Sequence, residues 1–162
     1  MKKPKVYIDT SILISPIVDK SSKAKEVGSR LGHISNRYTI VIPQIVIGES
    51  ISIIIKKTGN RNLDPFQSFI SNIFNYVVDY ENQLPALNEE ILNHALELIK
   101  LQADYLDMCD CLIIAHAIVD KEARYLLTSD KHILENGYII QYVKQYRESS
   151  NAQCLTITDS LK

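Results

Sequence analysis

Short apolar runs alternate with longer, partly polar segments along this chain. The runs at residues 6–8 and 38–43 are β-branched and aromatic without a charge, and the run at residues 125–130 ends at an acid. Strands of a parallel sheet that is covered on both faces have such continuous apolar sequences. The pattern therefore predicts three central strands, with a fourth short strand at residues 154–157.

The segments between these strands carry helical signals. One helix is bounded by Pro43 and Gly59, and another begins at Asp64-Pro65 with apolar residues at 3.6-residue spacing. Further helices are predicted from Thr10 toward Lys25, from Asn88 through Leu101 and over residues 107–121. Two segments are less regular: residues 76–78 are predicted to be briefly extended, and residues 138–148 fit either a helix or a strand.

Strands that alternate with helices favour an α/β fold in which helices pack on both faces of a central parallel sheet. We therefore predict a three-layer α/β/α sandwich. A chain of 162 residues, 46% of them hydrophobic, is large enough for one core, so we expect residues 1–162 to form a single domain. In sheets of this type the functional crevice lies beyond the carboxyl ends of the strands.

The composition argues against several classes of protein. With 18 basic and 19 acidic residues the net charge is −1, so bulk electrostatics do not indicate nucleic-acid or membrane binding. Asp9 and Asp19 interrupt the first apolar stretch, and no run of about 18 apolar residues follows, so we expect a soluble, cytoplasmic protein. The three cysteines contain no C-x-x-C pair, which disfavours a disulfide framework or a structural zinc site.

Four acids stand where a solvated side chain is not expected. Asp9 and Asp130 follow apolar strands, and if these strands are parallel neighbours the two acids meet at one edge of the sheet. Glu49 lies on the apolar face of its helix, and Asp110 lies near the start of the most hydrophobic helix. A buried, ionised carboxylate is costly unless a partner or a metal compensates it, so these four residues are candidates for a functional site.

Each acid also has a simpler structural explanation. Asp9 and Asp130 could be turn residues or helix N-caps, and Asp107 is better explained as an N-cap than as a site residue. Asp110 fits the first turn of its helix, where the helix dipole favours an acid, although we favour a site role for it. Glu49 could pair with a buried base, yet no basic residue lies within a turn of it.

Together, the four acids would repel one another in one crevice unless cations neutralised them. Oxygen ligands without a cluster of His or Cys suit Mg²⁺ or Mn²⁺. Four carboxylates can hold one or two such ions, and a pair of ions is an arrangement that activates water for phosphodiester hydrolysis. Three hydroxyls beside the acids either position phosphate and water or act as ordinary cap side chains: Thr10, Ser11 and Ser129.

These residues resemble the PIN domain family of metal-dependent nucleases. The resemblance rests on YIDTSIL with Asp9, IVIGES with Glu49, DCLIIAHA with Asp110 and LLTSD with Asp130, in that order. It implies a parallel α/β/α sandwich that cleaves RNA, with the four acids as catalytic and metal-binding residues. It also implies a relation to VapC-type toxins, which a cognate antitoxin inhibits and which often form homodimers, although residues 58–88 are longer here than in compact toxins.

The leading hypothesis is a Mg²⁺- or Mn²⁺-dependent endoribonuclease. Basic side chains that either contact the RNA backbone or are plain surface charges are Lys56, Lys57, Arg61, Lys131 and His132. One alternative is a non-catalytic module of the same fold that binds RNA or a protein partner. Another is a phosphotransfer enzyme with Asp9 as nucleophile, which is disfavoured because Ser11 occupies the place where that chemistry usually has a second acid.

Overall fold

A computed structural model of the chain defines residues 3–18, 31–59, 64–102 and 105–161. Four strands lie in this part of the chain: β1 (Lys5–Ile8), β2 (Thr39–Val41), β3 (Ala123–Leu127) and β4 (Thr156–Thr158). They form one sheet in the order β2-β1-β3-β4, and every neighbouring pair is parallel. The predicted central parallel sheet is confirmed, and the carboxyl ends of its strands share one edge.

Helices flank the sheet, which confirms the predicted α/β/α sandwich. They are α1 (Thr10–Val18), α2 (residues 31–37), α3 (Gln44–Thr58), α4 (Asp64–Tyr76), α5 (Tyr80–Gln83), α6 (Glu89–Gln102), α7 (Met108–Val119), α8 (Lys131–Leu134) and α9 (Gly137–Ser149). α1 is defined as far as Val18, so its predicted continuation toward Lys25 lies outside the described residues. α3 ends at Gly59 as predicted, with a φ of 76° that glycine adopts without strain.

The register of the central strands brings two chain segments to the same point of the sheet edge. β1 lies between β2 and β3, and its last residue, Ile8, pairs with Leu127 of β3. The next residue, Asp9, donates its backbone N–H to the Leu127 carbonyl at 3.0 Å. Asp9 and the residues that follow Leu127 therefore leave the sheet side by side, as the sequence predicted.

α7 is buried along most of its length. Every residue from 111 to 118 is buried, and the helix packs against α3, α6 and β3. This explains why its sequence is apolar on all sides, since a helix with a solvent-facing side keeps polar residues there. No helix within the described ranges is both long and apolar enough to cross a bilayer.

The bounds of all four strands differ from those predicted, β1 by the single residue Lys5. β2 is shorter than residues 38–43, because the Ile42 N–H leaves the sheet and donates to the Gln83 carbonyl at 2.7 Å. β3 begins two residues before the predicted 125–130 and ends at Leu127, so Asp130 lies three residues beyond the strand. β4 begins at Thr156 rather than at residue 154. Apolar character alone does not mark where a ladder of hydrogen bonds begins or ends.

Residues 76–78 are not extended, and that prediction was wrong. α4 continues through Tyr76, and the buried side chain of Gln83 holds the turn that follows. Its Oε1 atom accepts the N–H groups of Val78 and Asp79 at 2.9 and 2.8 Å, and its Nε2 atom donates to the Ile40 carbonyl at 2.7 Å. One buried side chain thus satisfies two backbone N–H groups of the nearby turn and a carbonyl of β2.

Residues 138–148, which fitted either a helix or a strand, lie in α9. Asn136 caps this helix, because its side-chain oxygen accepts the N–H groups of Tyr138 and Ile139 at 3.1 and 3.2 Å. Ile139, Val143 and Arg147 are buried at a spacing of four residues, which is the periodicity of one helical face. The helix is therefore set by its cap and by this buried face.

Candidate active site

Asp9 is a buried carboxylate at the carboxyl end of β1, and it is only 3% exposed. Its Oδ2 atom accepts hydrogen bonds from the Ser11 hydroxyl at 2.7 Å and from the Thr128 hydroxyl at 2.8 Å. Its backbone carbonyl accepts the N–H groups of Ile12 and Leu13 in the first turn of α1. The residue therefore starts α1 through its backbone, while hydroxyl groups hold its side chain.

Thr128 was missed by the sequence analysis, which selected the neighbouring Ser129 instead. Thr128 is fully buried, and its hydroxyl donates to Asp9 while it accepts the backbone N–H of Asp130 at 3.0 Å. Ser129 has an exposed side chain, and its backbone N–H donates to the Ser11 hydroxyl at 3.0 Å. The sequence did offer a signal for Thr128, because this hydroxyl residue directly follows the two leucines that end β3.

Glu49 lies in α3 and is half-buried, as its place on the apolar face predicted. The Thr10 hydroxyl donates to its Oε2 atom at 2.5 Å, so this hydroxyl orients an acid. Burial raises the pKa of Glu49, the hydrogen bond from Thr10 lowers it, and the negative charges of Asp107 and Asp9 raise it further. Glu49 is therefore electrostatically coupled to acids from β1 and from the start of α7.

Asp107 and Asp110 form a capping box at the start of α7. The Asp110 N–H donates to Asp107 Oδ1 at 2.9 Å, and the Asp107 N–H donates to Asp110 Oδ2 at 3.2 Å. Burial raises the pKa of Asp110 to about 7; the bond from the Asp107 backbone opposes this, and the charges of Asp107, Asp9 and Asp130 add to it. Asp107 is thus the predicted N-cap, and Asp110 combines a cap role with coupling to the other acids.

Asp130 is half-buried and caps the short helix α8. Its Oδ1 atom accepts the His132 N–H at 2.7 Å, so the N-cap explanation considered for Asp130 applies. Its charge also contributes to the raised pKa of Asp110. A cap role and a place in the acidic group are therefore compatible for this residue.

The acids at this edge lack a basic partner in the described part of the chain. The ion pairs within that part involve Lys5, Lys100 and Lys144 with acids elsewhere in the fold. The donor set consists of carboxylate and hydroxyl oxygens, which suit a hard divalent cation such as Mg²⁺ or Mn²⁺. Within the same ranges, no three His, Cys, Asp or Glu side chains stand in a metal-binding arrangement, so only the donor chemistry supports a cation here.

Cys109 stands beside these acids and does not add a soft ligand to them. It is half-buried, and burial raises the pKa of its thiol to about 11, with further contributions from Glu49, Asp107 and Asp110. A thiol must lose its proton to bind zinc tightly. The raised pKa of Cys109 therefore disfavours zinc and leaves oxygen atoms as the metal ligands.

The predicted basic residues differ in their relation to the acids. Lys131 is exposed and directly follows Asp130 in α8. Lys56 and Lys57 are exposed in the last turn of α3, roughly 10 Å along the helix axis from Glu49. Arg61 lies outside the described residues. Lys131 is therefore closer along the chain to one of the four acids than Lys56 and Lys57 are.

Comparisons with known proteins bear on this arrangement. The model of the PIN domain family matches residues 6–137, a range that contains Asp9, Glu49, Asp110 and Asp130. Among solved structures, the fold is similar to a chain of VapBC2 from Rickettsia felis, with a TM-score of 0.55. That structure contains VapBC2 bound to a DNA fragment from its own promoter. The two sequences are 19% identical, over 96% of this chain and 99% of that chain. Comparison with curated proteins gives no match.

Proposed function

We propose, from the premise that this chain belongs to the PIN domain family, that it is a metal-dependent endoribonuclease. Proteins of this family are generally nucleases, which are hydrolases of phosphodiester bonds. The observation that carries the proposal is that β1 and β3 end side by side, so that the buried Asp9 carboxylate and the Asp130 backbone are hydrogen-bonded to the same Thr128 hydroxyl. Within the described chain no lysine or arginine compensates this charge, so a bound cation is the natural counter-charge.

The residues that would hold the cation are Asp9, Glu49, Asp110 and Asp130, and Mg²⁺ or Mn²⁺ fits their oxygen chemistry. Such an ion, when bound, supplies an activated water and stabilises the leaving oxygen of a phosphodiester. Any cation must compete with a proton for Asp110 near neutral pH, because the pKa of this residue is about 7. We therefore expect binding to strengthen as the pH rises through that value.

The chain's own hydroxyls prepare the acids for this task. Thr10 donates to Glu49 and Ser11 donates to Asp9, so hydroxyl groups already hold two acids from distant segments in the free protein. We assign the exposed Ser129 hydroxyl to contact phosphate or water, and the exposed Lys131 to contact the RNA backbone. Lys56 and Lys57 are weaker candidates because of their distance along α3.

The biological setting is a further part of the proposal. The similar chain comes from the VapBC2 assembly on promoter DNA. From this likeness and from the resemblance of the sequence to VapC-type toxins, we propose that the protein is the toxin of a toxin–antitoxin pair in the cytoplasm. The sequence resemblance, rather than the structural likeness, is the ground for proposing an inhibitory antitoxin protein and a homodimer. Residues 1–162 are taken as one domain, since the described elements share one sheet and one core.

The experiment that tests the proposed activity compares wild type with Asp9→Asn on a panel of RNA oligonucleotides in Mn²⁺. Asparagine keeps the size of the side chain and removes its charge. Cleavage should fall by about 100-fold or more, because loss of a ligand exceeds the roughly 10- to 100-fold effect of losing an outer partner. The rate is measured from the appearance of cleaved products on a denaturing gel.

Glu148→Gln is the matched control, since Glu148 is an exposed acid near the C-terminal end of α9, where its neighbour Arg147 bonds the Ala123 carbonyl at the amino end of β3, opposite the acids. It should cleave at the wild-type rate. Circular dichroism must show that both variants are folded. Wild-type cleavage by a folded Asp9→Asn protein would refute the role assigned to Asp9.

One observation favours the alternative of a non-catalytic module that binds RNA or a protein. Asp110 and Asp130 each accept backbone hydrogen bonds at a helix start, so each has a structural role without any cation. A module of this kind would bind RNA without cleaving it and without needing Mn²⁺. RNA binding that is unchanged in EDTA, together with no cleavage in Mn²⁺, would support this alternative over the nuclease.

A further inference from the structure

Thr128 lies between acids that belong to two neighbouring strands. Its side chain is fully buried at the end of β3, in the loop that leads to Asp130. Its hydroxyl donates to Asp9 Oδ2 at 2.8 Å and accepts the Asp130 N–H at 3.0 Å. The Thr128 N–H itself donates to the Thr158 carbonyl at 3.0 Å, which holds the residue between β1 and β4.

We infer that Thr128 is a positioning residue, which fixes the Asp9 carboxylate for cation binding. This inference rests on the proposed function. A hydroxyl has a single proton, and a backbone N–H already occupies one acceptor position of Thr128. Its proton is therefore directed at Asp9 Oδ2, and the Asp9 carboxylate is held in one rotation. An outer partner of this kind sets the orientation of a cation ligand.

The Ser11 hydroxyl, which also donates to Asp9 Oδ2, does not have the same role as Thr128. Ser11 is two residues from Asp9 and lies in α1, so it moves together with the backbone that carries Asp9. Thr128 is 119 residues away along the chain and belongs to the neighbouring strand segment. Its bond therefore fixes Asp9 relative to the Asp130 loop, which is the relation that a shared cation would require.

The experiment measures Mn²⁺ binding directly, from the electron paramagnetic resonance signal of free Mn²⁺, without RNA. Thr128→Val removes the hydroxyl and keeps the shape of the side chain. The dissociation constant of Mn²⁺ should rise about 10-fold or more, the range found for outer partners of metal ligands. Thr128→Ser retains the hydroxyl and should stay within about 3-fold of wild type, since it keeps that partner.

Thr58→Val is the matched control, because the Thr58 hydroxyl is also hydrogen-bonded, to the Ile54 carbonyl at 2.8 Å, but lies at the end of α3. It should bind Mn²⁺ like wild type. If Thr128→Val is not folded, Thr128→Ala is measured in the same way and should show the same weakening. Loss of folding in both, with Thr128→Ser folded, would mean a purely structural role and would overturn the inference.

Two other outcomes separate the inference from the function on which it rests. Wild-type Mn²⁺ affinity in a folded Thr128→Val protein would overturn the positioning role and leave the nuclease proposal standing. Absence of Mn²⁺ binding by the wild-type chain would overturn both. Weakening in Thr128→Val that Thr128→Ser restores is the expected result, and a merely structural hydroxyl would not produce it.

Discussion

His116 is a buried imidazole in α7, and it is only 2% exposed. Its Nε2 atom has no hydrogen-bond partner among the residues that the structure describes. Burial lowers the pKa of His116 to about 4, because the charged imidazolium would lose its hydration in the core. The native protein therefore keeps this side chain neutral under conditions in which an unfolded chain would bind a proton. His116 thus makes a contribution to stability that is lost in acid.

The contribution of His116 to the free energy of unfolding should fall as the pH drops from 6.5 toward about 4, because only the unfolded chain binds the proton at this residue, whereas Asp110, with its raised pKa, contributes in the opposite direction. The stabilising contribution of His116 is fully present above pH 6.5 and amounts to roughly 3 kcal/mol across the window. His116→Leu should lack it. Urea unfolding at several pH values measures the difference between the two proteins.

His132→Leu removes an imidazole from an exposed position and serves as the control for that experiment. The informative quantity is the change with pH in the stability difference between variant and wild type. Parallel stability curves for wild type and His116→Leu between pH 7 and about 4.5 would contradict the prediction, since linkage requires the curves to diverge.

At the scale of elements, one buried guanidinium, that of Arg147, links α9 to the end of α7 through hydrogen bonds. Arg147 donates to the carbonyl oxygens of Asp120 at 2.7 Å, Ile118 at 3.1 Å and Gln153 at 2.6 Å, and also to that of Ala123. These carbonyls include groups at the C-terminal end of α7 that have no partner within the helix. The planar, five-donor guanidinium can reach several of them at once, which a lysine cannot do.

Arg147→Met should destabilise the protein by roughly 3 kcal/mol, because it leaves several buried carbonyl groups without a donor. For a protein of this size the melting temperature should fall by about 10 °C. Lys144→Met changes an exposed residue of the same helix and is the control. Thermal unfolding followed by circular dichroism is the measurement, and a melting temperature within about 2 °C of wild type for Arg147→Met would count against this role.

At the scale of the whole molecule, the four acids come together only because the fold brings distant segments of the chain to one edge of the sheet. Asp9 follows β1, Glu49 lies in α3, Asp110 starts α7 and Asp130 lies beyond β3. Bringing these like charges together costs free energy in the absence of a counter-ion. A cation that binds only the folded state must recover that cost and stabilise the fold as a whole.

Saturating Mn²⁺ should therefore raise the melting temperature relative to EDTA. At a concentration about 100 times the dissociation constant, the gain is roughly 2.7 kcal/mol, which corresponds to about 5 to 10 °C for a chain of this length. Asp9→Asn should show a much smaller rise. Differential scanning calorimetry measures both proteins, and equal melting temperatures for wild type in Mn²⁺ and EDTA would favour the non-catalytic module.

The sequence by itself determined the layered parallel fold and the positions of its acids. Apolar runs too short for helices, separated by amphipathic segments, leave a covered parallel sheet as the solution that buries them. Asp9 and Asp130 each follow such a run, so the local pattern placed both at the carboxyl edge of a parallel sheet, while the topology decided that their strands are neighbours. Glu49 was assigned to the interior by helical periodicity, and it is half-buried beside Thr10.

Only the tertiary structure decided which hydroxyl serves which acid and where the strands end. Local sequence contains no record of contacts between residues that are far apart in the chain, such as Thr128 with Asp9 or Gln83 with Ile40. A threonine beside an acid is equally compatible with a cap, a phosphate contact or a bridge between strands. The choice depends on which groups the fold leaves within hydrogen-bond distance, and that is set by the packing of the complete chain.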